Sequence, residues 1–368
     1  MAAQPMALEG IRVLDLSFYL PGPFCTMMLA DLGADVLHVE RPGVGDPARD
    51  LPVRMGDTSA LDWWVNRNKR SVALDLKSPA GREAFLDLVR RADIVVEGFR
   101  PGVADRLGVG YEACAKTNKA IIYCALSGYG QTGPYRDRPG HDINYAAESG
   151  MFDVTGHKDG PPVVIGFPVT DVGAGGLVAS TAILAAYVHR LRTGEGQMID
   201  VSILDGSVAM AGMQIMHALA GTPPVRGVDM NSGGVPYYRL YETADRGHIA
   251  VGSMEPHFWE LLCRGLGRPD LAAAQHDPSV GVTLEALFRE HPLPHWAAVL
   301  GEVHACVSPV VPVGQVKDHP QVRDREMITL MADRQGTLRP QVANPIRMSR
   351  TPPSLRSPAP QLGQCGDA

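Results

Sequence analysis

Three ionisable side chains stand where local structure alone gives them little to do: His141, Asp171 and Glu255. His141 follows the turn signal Arg138-Pro139-Gly140 and opens an amphipathic helical segment. A lone histidine near a helix start is more often structural than reactive, and the helix dipole there disfavours the imidazolium. The same dipole suits a neutral imidazole acting as a base. Asp171 ends the apolar run from Val163 and directly precedes a long helical pattern that begins at Val172. It reads either as an N-cap or as a carboxylate beside a ligand-binding helix start. In the second reading, Gly173, Gly175 and Gly176 let a ligand approach the helix N–H groups, which would hold a developing oxyanion. Glu255 lies in Gly252-Ser253-Met254-Glu255-Pro256, between an apolar strand and a helix with proline in its first turn. Glutamate is a poor N-cap, so capping explains it less well, while as a surface carboxylate it would need no explanation.

A second set of residues could hold an anion. Asn66-Arg67-Asn68-Lys69-Arg70 is a dense basic run before a strand, and Arg100 and Arg106 flank the turn Gly98-Phe99-Arg100-Pro101-Gly102. Such runs are usually solvated faces. Two of them beside strand ends of an α/β sheet favour an anion site. Met210, Met213 and Met216 recur at three-residue spacing, which on a helix gives one stripe for core packing or for a pocket tolerant of varied chains.

The elements that must position these residues alternate strand and helix through the first half. Strand patterns cover 11–16, 35–39, 71–76, 93–96, 120–126 and 198–203. Helical patterns cover 23–32, 79–91, 172–192 and 204–219. This βαβα order predicts a large doubly wound, Rossmann-like parallel sheet. No G-x-G-x-x-G follows the first strand, so a dinucleotide is not expected. We expect residues 1–220 to form this large domain and 221–234, rich in Gly, Pro and Asn, to form a linker. Residues 235–313 read as a smaller α+β domain, with a hairpin over 237–242 and 248–252 and a helix over 256–265. The Pro- and Arg-rich segment 314–368 is expected to return to the large domain.

The chain has 368 residues, with 34 basic against 40 acidic side chains and a net charge of −6, which gives no field for nucleic acid or an anionic membrane. A polyanionic ligand must therefore meet local positive charge. The six cysteines form no C-x-x-C pair, so no metal site is expected and a reducing, cytoplasmic setting fits them. Residues 1–10 do not read as a signal peptide, the last residues are not a peroxisomal address, and no uninterrupted apolar run reaches a membrane span.

Several long motifs carry a resemblance. They are Gly10-Ile11-Arg12-Val13-Leu14-Asp15-Leu16-Ser17 with Pro21-Gly22-Pro23-Phe24, Ala30-Asp31-Leu32-Gly33-Ala34-Asp35-Val36, Lys69-Arg70-Ser71-Val72-Ala73-Leu74-Asp75-Leu76-Lys77, and Ser127-Gly128-Tyr129-Gly130-Gln131-Thr132-Gly133-Pro134. In this order, from Gly10 to about Gly363, the chain resembles the class III CoA-transferase superfamily (CaiB/BaiF type). Within it, Gly140-His141-Asp142-Ile143-Asn144-Tyr145 and Ala250-Val251-Gly252-Ser253-Met254-Glu255-Pro256 are similar to the α-methylacyl-CoA racemases, where the transferases usually carry Tyr-Asp in place of His141-Asp142.

The resemblance implies an interlocked homodimer acting on acyl-CoA, with each site between the large domain of one subunit and the small domain of the other. CoA belongs to the substrate, and no separate cofactor is implied. Arg100 and Arg106 would contact it, joined by Phe99 and Lys69, with His38 at the position where many relatives place a basic residue near the adenine. Two reactions stay open. In a racemase, His141, held by Glu255, and Asp171 would serve the two faces of a 2-methylacyl thioester, through an enolate. In a transferase, Asp171 would be the nucleophile. A catalytically silent acyl-CoA-binding protein is a third possibility. An aspartate at its usual pKa of about 3.9 is a poor base, so the racemase reading requires surroundings that raise it.

Overall fold

The computed structural model describes residues 5–365 and divides into two compact units. The targeting expectations for the two ends fall partly on residues outside that range. Unit 1 comprises the chain up to Ser149, Phe167–Met210 and the chain from Pro320 on; unit 2 comprises Gly150–Gly166 and Ala211–His319. This corrects the expected boundaries in three places. Residues 150–166 leave the large domain, 221–234 belongs within unit 2, and the return to unit 1 begins at Pro320.

Unit 1 is built on six parallel strands: β1 (Arg12–Leu16), β2 (Asp35–Glu40), β3 (Lys69–Ala73), β4 (Ile94–Glu97), β5 (Ile122–Ser127) and β6 (Gln197–Ser202). Their order across the sheet is β3-β2-β1-β4-β5-β6, the doubly wound arrangement in which the connection reverses between β1 and β4. Alternation along each strand sends side chains to two separate cores. Val13, Val36, Ile94, Ile122 and Val201 pack against Cys25 and Leu29 of helix Pro21–Asp31 and against Ala179 and Ile183. On the other face Leu14, Leu37, Val72, Val95 and Tyr123 pack against Phe85 and Val89 of helix Pro79–Val89.

The strand predicted over 71–76 instead spans Lys69–Ala73. Its first two side chains are cationic, and their polarity hides the strand from a hydrophobic pattern. The long helix runs from Thr170 to Thr193, with a π-helical opening at Thr170–Leu177 and regular α-helix from Val178. By length and composition alone these 24 residues could cross a bilayer, which the expectation of no such run did not foresee. In this fold Ala179, Ile183 and Ala186 of that helix are buried in the sheet's core. The single helix expected over 204–219 is two, Ile203–Met210 and Gly212–Leu219, and the boundary between the units falls between them.

Residues after Pro320 add the hairpin Ile328–Ala332/Leu338–Val342 to unit 1. Trp63 Nε1 donates to Pro340 O at 2.9 Å, and the Asn68 N–H donates to Ser357 O at 2.9 Å. Unit 2 contains a three-stranded antiparallel sheet with His248–Val251 between Arg239–Glu242 and Val307–Pro309. Its core is Trp259, Leu262, Leu284, Phe288 and Trp296, from helices Pro256–Gly265, Ser279–Phe288 and Leu293–Gly301.

Candidate functional site

The carboxyl ends of β1, β4, β5 and β6 run into four loops that line one cleft of about 440 Å³ in unit 1. Ser17–Gly22 follows β1, Gly98–Pro101 follows β4, Gly128 and Tyr129 follow β5, and Ile203 follows β6. The cleft thus opens where the strand order reverses, the place in a doubly wound sheet where diverging connections leave a crevice for a ligand. Arg136, Arg138, Pro139, Gly140, His141, Tyr145 and Asp171 complete its wall.

His141 is exposed and is the residue preceding helix Asp142–Glu148. Its backbone N–H donates to Asn144 Oδ1 at 3.0 Å, so the Asn144 side chain caps the helix start. The Tyr145 ring, one turn on, is buried against Gly128 and Gly140. A Cβ on Gly128 would stand 2.2 Å from its phenol oxygen, so the glycine there is required by close approach.

Asp171 lies in the π-helical opening, and neither its side chain nor that of Val169 before the helix makes a capping bond. The N-cap reading is therefore set aside. Burial, and then the neighbouring Asp142 carboxylate, push the Asp171 carboxyl up to about 7. Asp142 is fixed in that position by what it accepts: Thr170 N–H and Thr170 Oγ1, both at 2.7 Å, and Asp171 N–H at 3.0 Å. These bonds also correct the expected oxyanion site. Thr170 and Asp171 give their N–H groups to Asp142, and Val172 gives its own to Pro168 O at 3.1 Å. The glycines serve helix packing instead. A Cβ on Gly175 would meet Pro21 and Ile203 at 3.2 Å, and one on Gly176 would stand 2.7 Å from the Phe24 ring.

Glu255 belongs to unit 2, where it precedes helix Pro256–Gly265 with an exposed side chain that makes no capping bond. Its loop is held from behind by the buried Gln275, whose Nε2 donates to Ser253 O at 3.1 Å and Met254 O at 2.8 Å.

Of the five residues expected to hold CoA, Phe99 and Arg100 line the cleft. Phe99 packs on Phe18, with ring centroids 6.2 Å apart. Arg106 follows in helix Val103–Leu107, exposed. Lys69 and His38 are corrections. Lys69 is buried and places all its donors inside the fold: Asp15 Oδ2 at 3.0 Å, Pro23 O at 3.0 Å and Asn66 Oδ1 at 2.7 Å. His38 is also buried, with Nε2 3.0 Å from Ser17 O and Nδ1 without a hydrogen-bond partner. Neither side chain reaches the cleft wall. Both are basic residues at sheet positions, and residue type alone does not separate a buried cation from an exposed one.

Two residues of the cleft wall, Arg136 and Arg138, and two behind it, Asp142 and Glu97, carry no assignment from sequence. Asp142 stands inside the motif that was read for His141, and nothing in its type announces its role. Glu97 ends β4 with its side chain buried. Burial pushes its carboxyl up to about 8, and its Oε2 accepts the Phe99 N–H at 2.6 Å, which sets the Gly98–Pro101 turn. Arg136 and Arg138 sit in the loop before His141, where Arg138 lies 3.6 Å over the centre of the Tyr135 ring. That loop is anchored at its start by Asp200, which accepts the Gln131 N–H at 3.0 Å.

Comparison with known proteins agrees with this geometry. Residues 8–365 match the family described as CoA-transferase family III. The chain is 39% identical to the succinyl-CoA:mesaconate CoA-transferase of Haloarcula hispanica, covering 97% of this chain and 94% of that one. It is 37% identical to the α-methylacyl-CoA racemase of Homo sapiens, covering 87% and 82%. A crystal structure of a CaiB/BaiF family protein from Brucella suis superposes with a TM-score of 0.87 at 32% identity, covering 99% of this chain and 98% of that one. With a family match over nearly its whole length and a fold shared with a CaiB/BaiF family protein, this chain is a member of CoA-transferase family III, the CaiB/BaiF family.

Proposed function

We propose that the protein inverts the α-carbon of 2-methylacyl-CoA thioesters, as a racemase or epimerase working by 1,1-proton transfer through an enolate. The observation that carries this reading is the Asp171 carboxyl, held at about 7 on the cleft wall that His141 also lines. A group with that proton affinity is half protonated at neutral pH, so it gives a proton as readily as it takes one. Inversion needs this of both groups. In one direction neutral His141 removes the α-proton, and the C–H electron pair moves into the enolate. Protonated Asp171 then delivers a proton to the opposite face, leaving imidazolium and carboxylate. In the other direction the roles exchange. Because Asp142 and Pro168 already hold the amides at the Thr170 helix start, the enolate oxygen must be met by other donors of the cleft.

The proposal includes Glu255 as the carboxylate that orients His141, brought to it in an interlocked homodimer where the small unit of one subunit meets the large unit of the other. CoA enters as part of the substrate, with no separate cofactor. The absence of a C-x-x-C pair and the thiols of Cys25, Cys114, Cys124 and Cys263, buried in the fold, support a reducing, cytoplasmic setting.

A CoA-transferase reaction is the second reading, favoured by the slightly higher identity to a CoA-transferase, 39% against 37%. There ionised Asp171 would attack the thioester carbonyl, expel CoA thiolate and form a mixed anhydride. A carboxyl near 7 presents less of that ionised nucleophile at neutral pH than an ordinary aspartate does.

One assay separates the two. The purified protein is incubated in heavy water with a 2-methylacyl-CoA and a free carboxylic acid, and deuterium at the α-carbon is measured beside transfer of CoA. We expect deuterium to enter the α-carbon and His141→Ala to abolish its entry. Movement of CoA between acids with no α-deuterium would overturn the racemase reading and leave the transferase.

A further inference from the structure

A phenol taken out of water ordinarily finds a partner for its hydroxyl, because an O–H left unbonded inside a protein costs free energy. Among the described residues three tyrosines are buried: Tyr123, Tyr145 and Tyr241. Two of them follow the rule. Tyr123 Oη donates to Val109 O at 3.3 Å and Tyr241 Oη to Pro236 O at 2.7 Å. Tyr145 does not. It is 4% exposed, its Oη makes no hydrogen bond among the described residues, and it lines the cleft. Two glycines make room for that hydroxyl: a Cβ on Gly128 would stand 2.2 Å from Oη, and one on Gly140 2.9 Å from it. Gly128 follows β5 and Gly140 directly precedes His141, so the hydroxyl lies between a strand end and the backbone that leads to the imidazole. The Tyr129 ring meets the Tyr145 ring edge-on, with centroids 5.3 Å apart, and helps hold it. His141 precedes helix Asp142–Glu148 and Tyr145 lies four residues further on, a spacing that puts two side chains on one face. Burial, and then the Asp171 carboxylate, push the Tyr145 phenol above its ordinary value. At neutral pH it therefore keeps its proton and is a donor, not an acid.

We infer that Tyr145 is a catalytic residue: its Oη donates a hydrogen bond to the thioester oxygen of the substrate and holds the charge which that oxygen takes up as the α-proton leaves. The charge-holding role rests on the proton-transfer reading of His141 and Asp171, whereas the contact to the thioester oxygen can be read on its own. Tyr145 supplies a donor that the amides at the Thr170 helix start cannot, since Asp142 and Pro168 hold them. As His141 removes the α-proton, the C–H pair becomes the double bond between the α-carbon and the carbonyl carbon, and the carbonyl π pair moves onto oxygen. Tyr145 keeps its proton throughout and shares it in the hydrogen bond. When Asp171 protonates the α-carbon, the pair returns from oxygen and the bond relaxes to that of a neutral carbonyl. A fixed neutral donor in a site shielded from water binds more strongly as charge grows on its acceptor, and only such a difference lowers a barrier. A phenol without a partner and an enolate oxygen without a donor thus answer one another.

The test uses Tyr145→Phe in the full-length protein, which removes the hydroxyl and keeps the ring between Gly128 and Gly140. Infrared difference spectra are taken of a bound 2-methylacyl-CoA that is isotope-labelled at the thioester carbonyl carbon, with no acceptor acid present. Inversion at the α-carbon leaves that label in place, so the contact is read whether or not turnover occurs. The bound carbonyl stretch should fall below that of the free thioester in wild type and return towards it in Tyr145→Phe. Deuterium entry at the α-carbon should drop roughly 10²–10³-fold in kcat, with KM within about threefold of wild type. The same stretch in wild type and Tyr145→Phe would overturn the inference whatever the rate does, because a slower variant with an unchanged carbonyl has lost packing and not a hydrogen bond. A wild-type shift that Tyr145→Phe removes, in a protein that takes up no α-deuterium, supports the contact and sinks the racemase reading alone.

Discussion

Two aspartates of the same unit face opposite surroundings. Asp15 ends in a buried ring of donors: Lys69 Nζ at 3.0 Å, Thr26 Oγ1 at 2.6 Å and Ser17 Oγ at 2.5 Å. Its burial alone would raise the carboxyl, but Lys69 and then His38 outweigh that and pull it down to about 2. Asp171 has burial without a cation, and its charged neighbour is another carboxylate, so it rises to about 7. The difference divides unit 1 into a region where Asp15 and Asp31 are each met by a buried cation and one where Asp171 is not. The first holds β1, β2 and β3 to the returning C-terminal segment. Beside Asp15, the buried Asp31 accepts from Arg67 Nη2 at 2.7 Å, Asn68 Nδ2 at 2.8 Å and Asn344 Nδ2 at 3.1 Å. The second surrounds the cleft. Charge density alone does not identify a site; unanswered charge does.

The sharpest way to break this comparison is Asp171→Asn. It should lower α-proton exchange by about 10²–10⁴-fold while leaving the fold intact. Its stability should follow from the sign of the shift. A carboxyl raised in the folded state favours folding most below its ordinary value and loses that contribution as pH rises through about 7. Denaturant melts should therefore show Asp171→Asn gaining on wild type as pH climbs from 4 to 8. A variant that exchanges protons at the wild-type rate would place Asp171 outside the chemistry.

Next comes the answered region. Lys69→Met strands the buried Asp15 charge and should cost about 3–5 kcal/mol in chemical denaturation. Arg70→Ala, one residue on, removes an ion pair to Asp35 whose side chains are 50% and 43% exposed, and should cost less than about 1 kcal/mol. The reverse ranking would mean that the basic run is not partitioned between core and solvent as described.

An effect smaller than that of Lys69→Met is expected at Glu97, whose carboxyl burial pushes up to about 8. That contribution is complete below its ordinary range and lost as pH rises through about 8. Glu97→Gln mimics the protonated form and can still accept the Phe99 N–H. It should match wild type at about pH 3.5 and exceed it at pH 9 by on the order of 2 kcal/mol, read as a shift in melting temperature. Identical pH slopes for the two proteins would show that Glu97 ionises freely.

The same division explains what the sequence made legible. Strands with apolar faces, such as Ile122–Ser127, stand out because both faces are covered and their composition must say so. Strand β3 starts at Lys69, where its aliphatic stem is in the core and its charge is paired, and a polarity pattern reads that start as loop. The π-helical opening at Thr170 escapes a search for a 3.6-residue period, and the break after Met210 falls at Gly212, the first residue of the second helix. At the site, His141 is marked by its place after a turn signal and Asp171 by its place before a glycine-rich helix start. Lys69 is suggested by its basic run and His38 by the position at which relatives place a basic residue, and neither signal reports burial. Arg136 could have been found from its place in a Gly/Pro-rich loop beside Arg138, but Glu97 and Asp142 look like any surface acid until burial and neighbours are known.

Asp142 deserves a mechanical description as well as an electrical one. Its single carboxylate is a bolt through two plates: it rides on the first turn of the helix that follows His141 and is fastened to Thr170 and Asp171 on the helix that opens at Thr170. Loosening it would let the imidazole and the Asp171 carboxyl drift apart, and would at the same moment withdraw the negative charge that helps keep Asp171 protonated. Spacing and acidity are set by the same part, so neither can be tuned through this residue without moving the other.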